Sequence, residues 1–125
     1  MSRFHSNIKS FGHAIDGIKT AFKKEPNLQI HLIIGVLVLT LAGILRFSIF
    51  EWIVLLFTVA LVIVLELINT SVESIVDLVS PEIKPQAKIA KDVAAAAVLV
   101  TAIISIIIGV LLFLPNIIDV FKEIK

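Results

Sequence analysis

"WIVLLFTVALVIVL" occupies residues 52–65, and "ELINTSVESIVD" follows without a break at 66–77. The first half is an uncharged apolar run and reads as a bilayer span. The second half carries Glu66, Asn69, Thr70, Glu73 and Asp77 on the same predicted helix. At ~100° per residue these five fall within an arc of roughly 100° and form one polar stripe. Ile68, Val72, Ile75, Val76 and Val79 occupy other directions. An aspartate facing lipid at the centre of a span costs about 2.5–3.5 kcal/mol. The stripe is therefore expected to face protein, a water-filled site or a bound cation.

Composition sets the frame for that helix. Of 125 residues 58% are hydrophobic, and the mean hydropathy is +1.07, far above that of a soluble domain. The formal net charge of +1 gives no electrostatic case for nucleic acid. Without cysteine there is no disulfide or thiolate chemistry. The first long apolar run starts only near Leu28, and no small-residue cleavage pattern follows it. No cleavable signal peptide is expected, and the first span should remain in the protein.

Working outward, the pattern predicts an all-α membrane protein: three transmembrane helices preceded by an amphipathic interfacial helix, in one domain over 1–125. In residues 1–25 the apolar positions Phe4, Ile8, Phe11, Ile15, Ile18 and Phe22 recur at helical spacing. Basic and polar residues fill much of the rest, as in a helix lying in the membrane interface. "EPN" at 25–27 interrupts the chain, with Pro26 suited to a first helical position. Spans are expected over about 28–45, 51–79 and 89–114, with Ser48 as a candidate N-cap and Pro115 as the last stop. Five Lys or Arg precede the first span, and Lys84, Lys88 and Lys91 surround the second loop. The positive-inside rule then puts the N-terminus and the 80–88 loop in the cytoplasm.

Depth gives the stripe a chemistry. Glu66 lies ~21 Å of helix after the interfacial Trp52, on the cytoplasmic side of the midplane of a ~30 Å hydrocarbon layer. Glu73 comes ~10 Å later, near the boundary, and Glu25 is expected at the same level. Two carboxylates beside a basic surface suit a magnesium-bound nucleotide. In "AKIAKDVAAAAV", 87–98, Lys91 is placed to bind phosphate as a point charge, and Asp92 to orient it or face the stripe. The alanines allow close helix approach, which would bring Lys91 and Glu66 into one site. A poorly solvated Glu66 could then take the proton of a lipid hydroxyl, with Glu25 and Glu73 holding the metal and Lys91 neutralising the transferring group. From the residues alone two other readings stay open. The stripe could be structural, paired with Lys88 and Lys91, or it could line the path of an ion-conducting or assembly subunit. There is no GxxxxGK[ST] loop and no protein-kinase signature. His5, His13 and His31 lack zinc-site spacing.

"ELINTSVESIVD" taken with "AKDVAAAAV" at 90–98 resembles the small bacterial integral-membrane diacylglycerol kinase family, which includes the undecaprenol kinases of Gram-positive bacteria. Its pattern is Glu-x-x-Asn-[Ser/Thr]-x-x-Glu-x-x-x-Asp, then Ala-Lys-Asp. "SFGHAIDGIKTAFKKEPN" at 10–27 is similar to the family's N-terminal helix, and the resemblance runs from about Phe4 to Leu114. It implies an ATP-dependent kinase of the bacterial inner membrane that phosphorylates diacylglycerol or undecaprenol, with Mg2+ as cofactor. It implies Glu66 as catalytic base, Glu66 and Asn69 at the lipid substrate, and Glu25 and Glu73 on the metal and nucleotide. His13, Glu82, Ile83, Lys84, Lys91 and Asp92 would complete the nucleotide site. Membrane lipids and a homotrimer, with sites built from more than one chain, are the implied partners. His31 stands where the proteobacterial enzymes have a glutamate, and Glu25-x-Asn27-x-x-x-His31 looks more like the undecaprenol-kinase side of the family.

Overall fold

A computed structural model describes residues 3–82 and 84–123, the side chains of 3–8 and 123 excepted. Four helices follow one another: α1 (Arg3–Lys24), α2 (Pro26–Ile44), α3 (Ile49–Val79) and α4 (Pro85–Glu123). The last three are long and apolar enough to cross a membrane, so the chain is an all-α, multi-pass membrane protein. The face expected on α1 leaves Phe11, Ile15, Ile18 and Phe22 exposed, while the side chains of Phe4 and Ile8 lie outside those described.

A single residue, Glu25, separates α1 from α2. Proline disfavours helical backbone at the residue before it, and Glu25 is extended at φ −111, ψ 104. Pro26 also lacks the N–H that would bond the carbonyl of Phe22 in a continuous helix. Gln29 supplies the missing donor: its Nε2 donates to the Phe22 carbonyl at 2.8 Å. The joint is thus bent without an orphaned acceptor, and Glu25 sits at the bend.

The α2–α3 turn is a Schellman closure. The Phe47 N–H donates to the Ala42 carbonyl and the Arg46 N–H to that of Gly43, and Ala42 and Phe47 are both buried. Arg46 holds the left-handed position at φ 55, where glycine escapes the Cβ clash. Arg46→Gly is expected to raise stability by about 1 kcal/mol, read as a higher thermal midpoint in detergent. Ser48 caps α3 in a capping box with Glu51, so α3 begins at Ile49, ahead of the expected start at 51.

α4 departs most from expectation. It begins at Pro85, whose missing donor costs nothing at a first helical position, and it runs through Pro115 to Glu123 instead of stopping at 114. Proline is tolerated inside membrane helices where nearby groups re-satisfy the backbone. Asn116 stands beside it, donating from Nδ2 to the Leu112 carbonyl and to Glu51 Oε1. That second bond ties the far end of α4 to the first turn of α3.

α3 packs against each of the other three helices. A core of Ala42, Phe47 and Leu55, flanked by Trp52 and Phe113, closes the end of the bundle by the α2–α3 turn. The Phe47 and Phe113 rings are 4.7 Å apart. Gly35 brings α2 and α3 close, since a Cβ there would meet a Val59 methyl at 3.1 Å. With 31 residues α3 is ~46 Å long, well beyond the ~30 Å of a hydrocarbon core. The surplus at the end opposite the core carries the polar stripe.

Candidate active site

Exposure along the stripe rises toward the end of α3. Glu66, Asn69 and Thr70 are buried, Glu73 is half-buried and Asp77 is exposed. Glu66 is the deepest, with only 2% of its surface exposed. His31 on α2 meets it, Nε2 lying 3.3 Å from Glu66 Oε1. The pair is within ion-pair distance but is not aligned as a hydrogen bond. Among the described residues Glu66 Oε1 and Asn69 Oδ1 are the buried side-chain atoms left without a hydrogen-bond partner.

The orientation of Asn69 follows from its neighbour. A carboxylate only accepts, so the Asn69 Nδ2 faces Glu73 Oε1 at 3.1 Å and its Oδ1 is turned into the interior. Asn69 and Glu73 stand one helical turn apart, which makes this contact possible. Thr70 spends its hydroxyl on the Glu66 carbonyl at 2.9 Å. Asn27, His31, Glu66 and Asn69 face Ala95, Val98, Leu99 and Ala102 of α4 across a half-open chamber of about 280 Å³. Two unpartnered oxygens in a space of that size mark a place for a hydrogen-bonding guest.

Charged groups gather at the mouth. Glu25, held at the α1–α2 bend, and Glu73 lie close enough for their negative charges to act on Glu66. Both also act on Lys91. Lys91 reaches across from α4, Nζ donating to Asp77 Oδ1 at 2.9 Å. Asp92 does not orient Lys91: it pairs with Lys88 at 2.5 Å, four residues back on the same helix. Lys24 was read from sequence only as part of the basic N-terminal segment. Its Nζ lies 3.4 Å from Ser74 Oγ and its charge reaches Asp77. The signal for it was its place next to Glu25, at the only break between α1 and α2.

Beyond the mouth, Asp77, Glu82, Lys88, Lys91 and Asp92 line a second hollow of about 290 Å³. Lys84 lines a neighbouring hollow on the other side of Val76 and Ser80. His13 is exposed on α1, ~18 Å of helix from Glu25. Ile83 lies outside the described residues.

A hard divalent cation takes oxygen ligands, and magnesium in particular one or two carboxylates completed by phosphate and water. Among the described residues no three His, Cys, Asp or Glu side chains converge as a ready-made cage. Glu25 and Glu73 at the mouth are two carboxylates, the number that such a shared cation takes, and Asn69 hydrogen-bonds Glu73 in the manner of an outer partner. The donor set therefore fits magnesium.

The chain is also similar to known proteins. A family model described as prokaryotic diacylglycerol kinase matches residues 12–113. A protein named undecaprenol kinase from Bacillus subtilis (strain 168) is 43% identical over 110 residues, covering 88% of this chain and 89% of that relative. A protein named diacylglycerol kinase from Synechocystis sp. is 44% identical over 71 residues, which is 57% of this chain. The matched stretch spans only 41% of that second relative's length.

Proposed function

The chain belongs to the prokaryotic diacylglycerol kinase family, which makes it an enzyme of the phosphotransferase class, and from that premise we propose that it transfers the γ-phosphoryl group of ATP to the hydroxyl of a membrane lipid alcohol, diacylglycerol or undecaprenol. The observation that carries this reading is the buried Glu66, whose Oε1 makes no hydrogen bond, on a half-open hollow that it lines with Asn27, His31 and Asn69. A bilayer helix does not keep such a group for stability, because an unsatisfied buried carboxylate is costly.

In this reading the acceptor hydroxyl enters the chamber beside Glu66 and Asn69. Glu66 takes the hydroxyl proton as the oxygen forms its bond to the γ-phosphorus and the bond to the β-phosphate oxygen breaks. Asn69 holds Glu73 in place through its Nδ2. Glu25 and Glu73 hold Mg2+, which when bound offsets negative charge on the phosphates. Lys91, fixed by Asp77, and Lys24 place positive charge at the mouth, where electrostatics and positioning supply most of the catalysis of phosphoryl transfer. The hollow edged by Glu82, Lys88 and Asp92 receives the nucleoside, with Lys84 beside it and His13 contributed from α1. The basic N-terminal segment and the 80–88 loop face the cytoplasm, where ATP is found, in keeping with the positive-inside rule. A homotrimer, with sites built from more than one chain, belongs to the same reading by family likeness.

Lys91→Ala is expected to raise KM for ATP about tenfold or more by removing a phosphate contact, with a smaller change in KM for the lipid. Initial-rate kinetics in mixed micelles separate the two. The reading as a whole is tested by giving the purified protein labelled ATP, Mg2+ and each lipid in turn. Labelled phosphatidic acid or undecaprenyl phosphate is the expected product. Folded protein that labels neither lipid would refute it.

A further inference from the structure

A carboxylate that takes a proton has to be ionised first, and a buried one needs a partner for its charge. Glu66 has two negative neighbours, Glu25 at the α1–α2 bend and Glu73 on α3. The lysines at the mouth are engaged elsewhere: Lys91 of α4 donates to Asp77 on α3, and Lys24 of α1 lies against Ser74. The α4 wall of the chamber is Ala95, Val98, Leu99 and Ala102, none of them charged. That leaves His31 on α2. Among the described residues it is the one basic side chain within ion-pair distance of Glu66, with Nε2 at 3.3 Å from Oε1. The same Oε1 makes no hydrogen bond.

We propose that His31 is the positioning residue of the base: as an imidazolium it holds Glu66 as a carboxylate and occupies Oε1, leaving Oε2 for the acceptor hydroxyl. The inference rests on the lipid-kinase reading and adds to it the partner that arms Glu66. A histidine and a glutamate that share one dissociable proton have two forms, imidazole with carboxylic acid or imidazolium with carboxylate. Only the second leaves a base free to act. Catalytic hydrogen bonds that are long or poorly aligned in an unliganded protein tighten when substrate binds, which suits the 3.3 Å contact. In the reaction the acceptor O–H bond breaks and its proton passes to Glu66 Oε2. The acceptor oxygen joins the γ-phosphorus, the bond to the β-phosphate oxygen breaks, and ADP leaves. His31 keeps its own proton through that step and forms no bond to substrate. Between turnovers one proton returns to water from the pair, and His31 is its more exposed member, its side chain 23% exposed against 3% for Glu66. Histidine is titratable, so in Glu66→Gln it can give up its proton, and that variant keeps no unpaired buried cation.

Infrared difference spectroscopy of the full chain in nanodiscs reads the pair without turnover. Wild type minus Glu66→Gln at neutral pH should show a carboxylate and no protonated carboxyl. His31→Gln keeps a hydrogen-bond donor but not the charge. It should show a protonated carboxyl that disappears in the double variant with Glu66→Gln. In lipid phosphorylation His31→Gln should lose about tenfold or more in kcat, with KM for ATP and for the lipid within about twofold of wild type. Raising the pH should restore kcat in His31→Gln and not in Glu66→Gln. A protonated Glu66 in wild type, or a carboxylate that survives in His31→Gln, would overturn the inference. So would a kcat loss that pH leaves untouched, the mark of a merely structural role, or an effect confined to KM for the lipid. A wild type that phosphorylates no lipid would instead remove the kinase reading on which the inference rests, whatever the infrared bands show. Should His31→Gln fail to fold, NMR of the imidazole nitrogens in histidine-labelled protein takes its place. His31 should read as imidazolium in wild type and as imidazole in Glu66→Gln. A neutral imidazole in wild type would refute the pairing.

Discussion

Glu66→Gln loses lipid phosphorylation by about 10²–10⁴-fold in kcat, the range for removal of a positioned general base, and keeps its fold. The glutamine has the same shape and fills the same space between His31 and Asn69. It removes a buried negative charge that sits near two more, Glu25 and Glu73. Its thermal midpoint is therefore expected to equal or exceed that of the wild type, as happens when a site strained for function is relaxed. The two readouts together separate catalysis from architecture. If the stripe were structural, the same substitution would lower the midpoint, since breaking a stabilising buried pair costs about 3–5 kcal/mol. A variant with normal turnover would show that the proton goes elsewhere.

Glu73→Gln is the second large effect, a loss of about 10²–10³-fold in kcat/KM. Glu73 is placed by Asn69 Nδ2 at 3.1 Å and acts electrostatically on Glu66 and Lys91. Neutralising it weakens the hold on the cation and disturbs the alignment of Asn69 at once. The loss should appear partly as a raised Mg2+ requirement, so titrating Mg2+ recovers some of the rate in Glu73→Gln but none in Glu66→Gln. Equal recovery in both would argue that the two carboxylates do the same work.

Much of this arrangement was legible in the sequence because it depends on local rules. Helical spacing alone gathered Glu66, Asn69, Thr70, Glu73 and Asp77 onto one edge, and the burial of the first three follows from the cost of facing lipid. Ser48 announced a capped start, while its reciprocal partner Glu51 is a finding of the structure. Pro26 marked the bend that presents Glu25. Non-local facts were less visible. Pro115 reads as a stop, but α4 continues through it to Glu123, and Asn116 just beyond it meets Glu51, 65 residues away, across the bundle. Spacing along α4 suggested that Asp92 serves Lys91, whereas Lys88 lies one turn away on the same helix and claims it. Lys91 instead finds Asp77 on α3. The approach of Lys24 to Ser74 arises where α1 meets α3 and has no signature in either helix alone.

The central claim is that Glu25, at the α1–α2 bend, and Glu73, on α3, hold one divalent cation together with the nucleotide. Mn2+ substituted for Mg2+ tests it directly, without turnover. With a non-hydrolysable ATP analogue, pulsed electron paramagnetic resonance of the wild type should show phosphorus coupling to protein-bound Mn2+. Glu25→Gln and Glu73→Gln should each lose that signal or need at least tenfold more Mn2+ to restore it. Wild-type affinity and coupling in both variants would contradict the account.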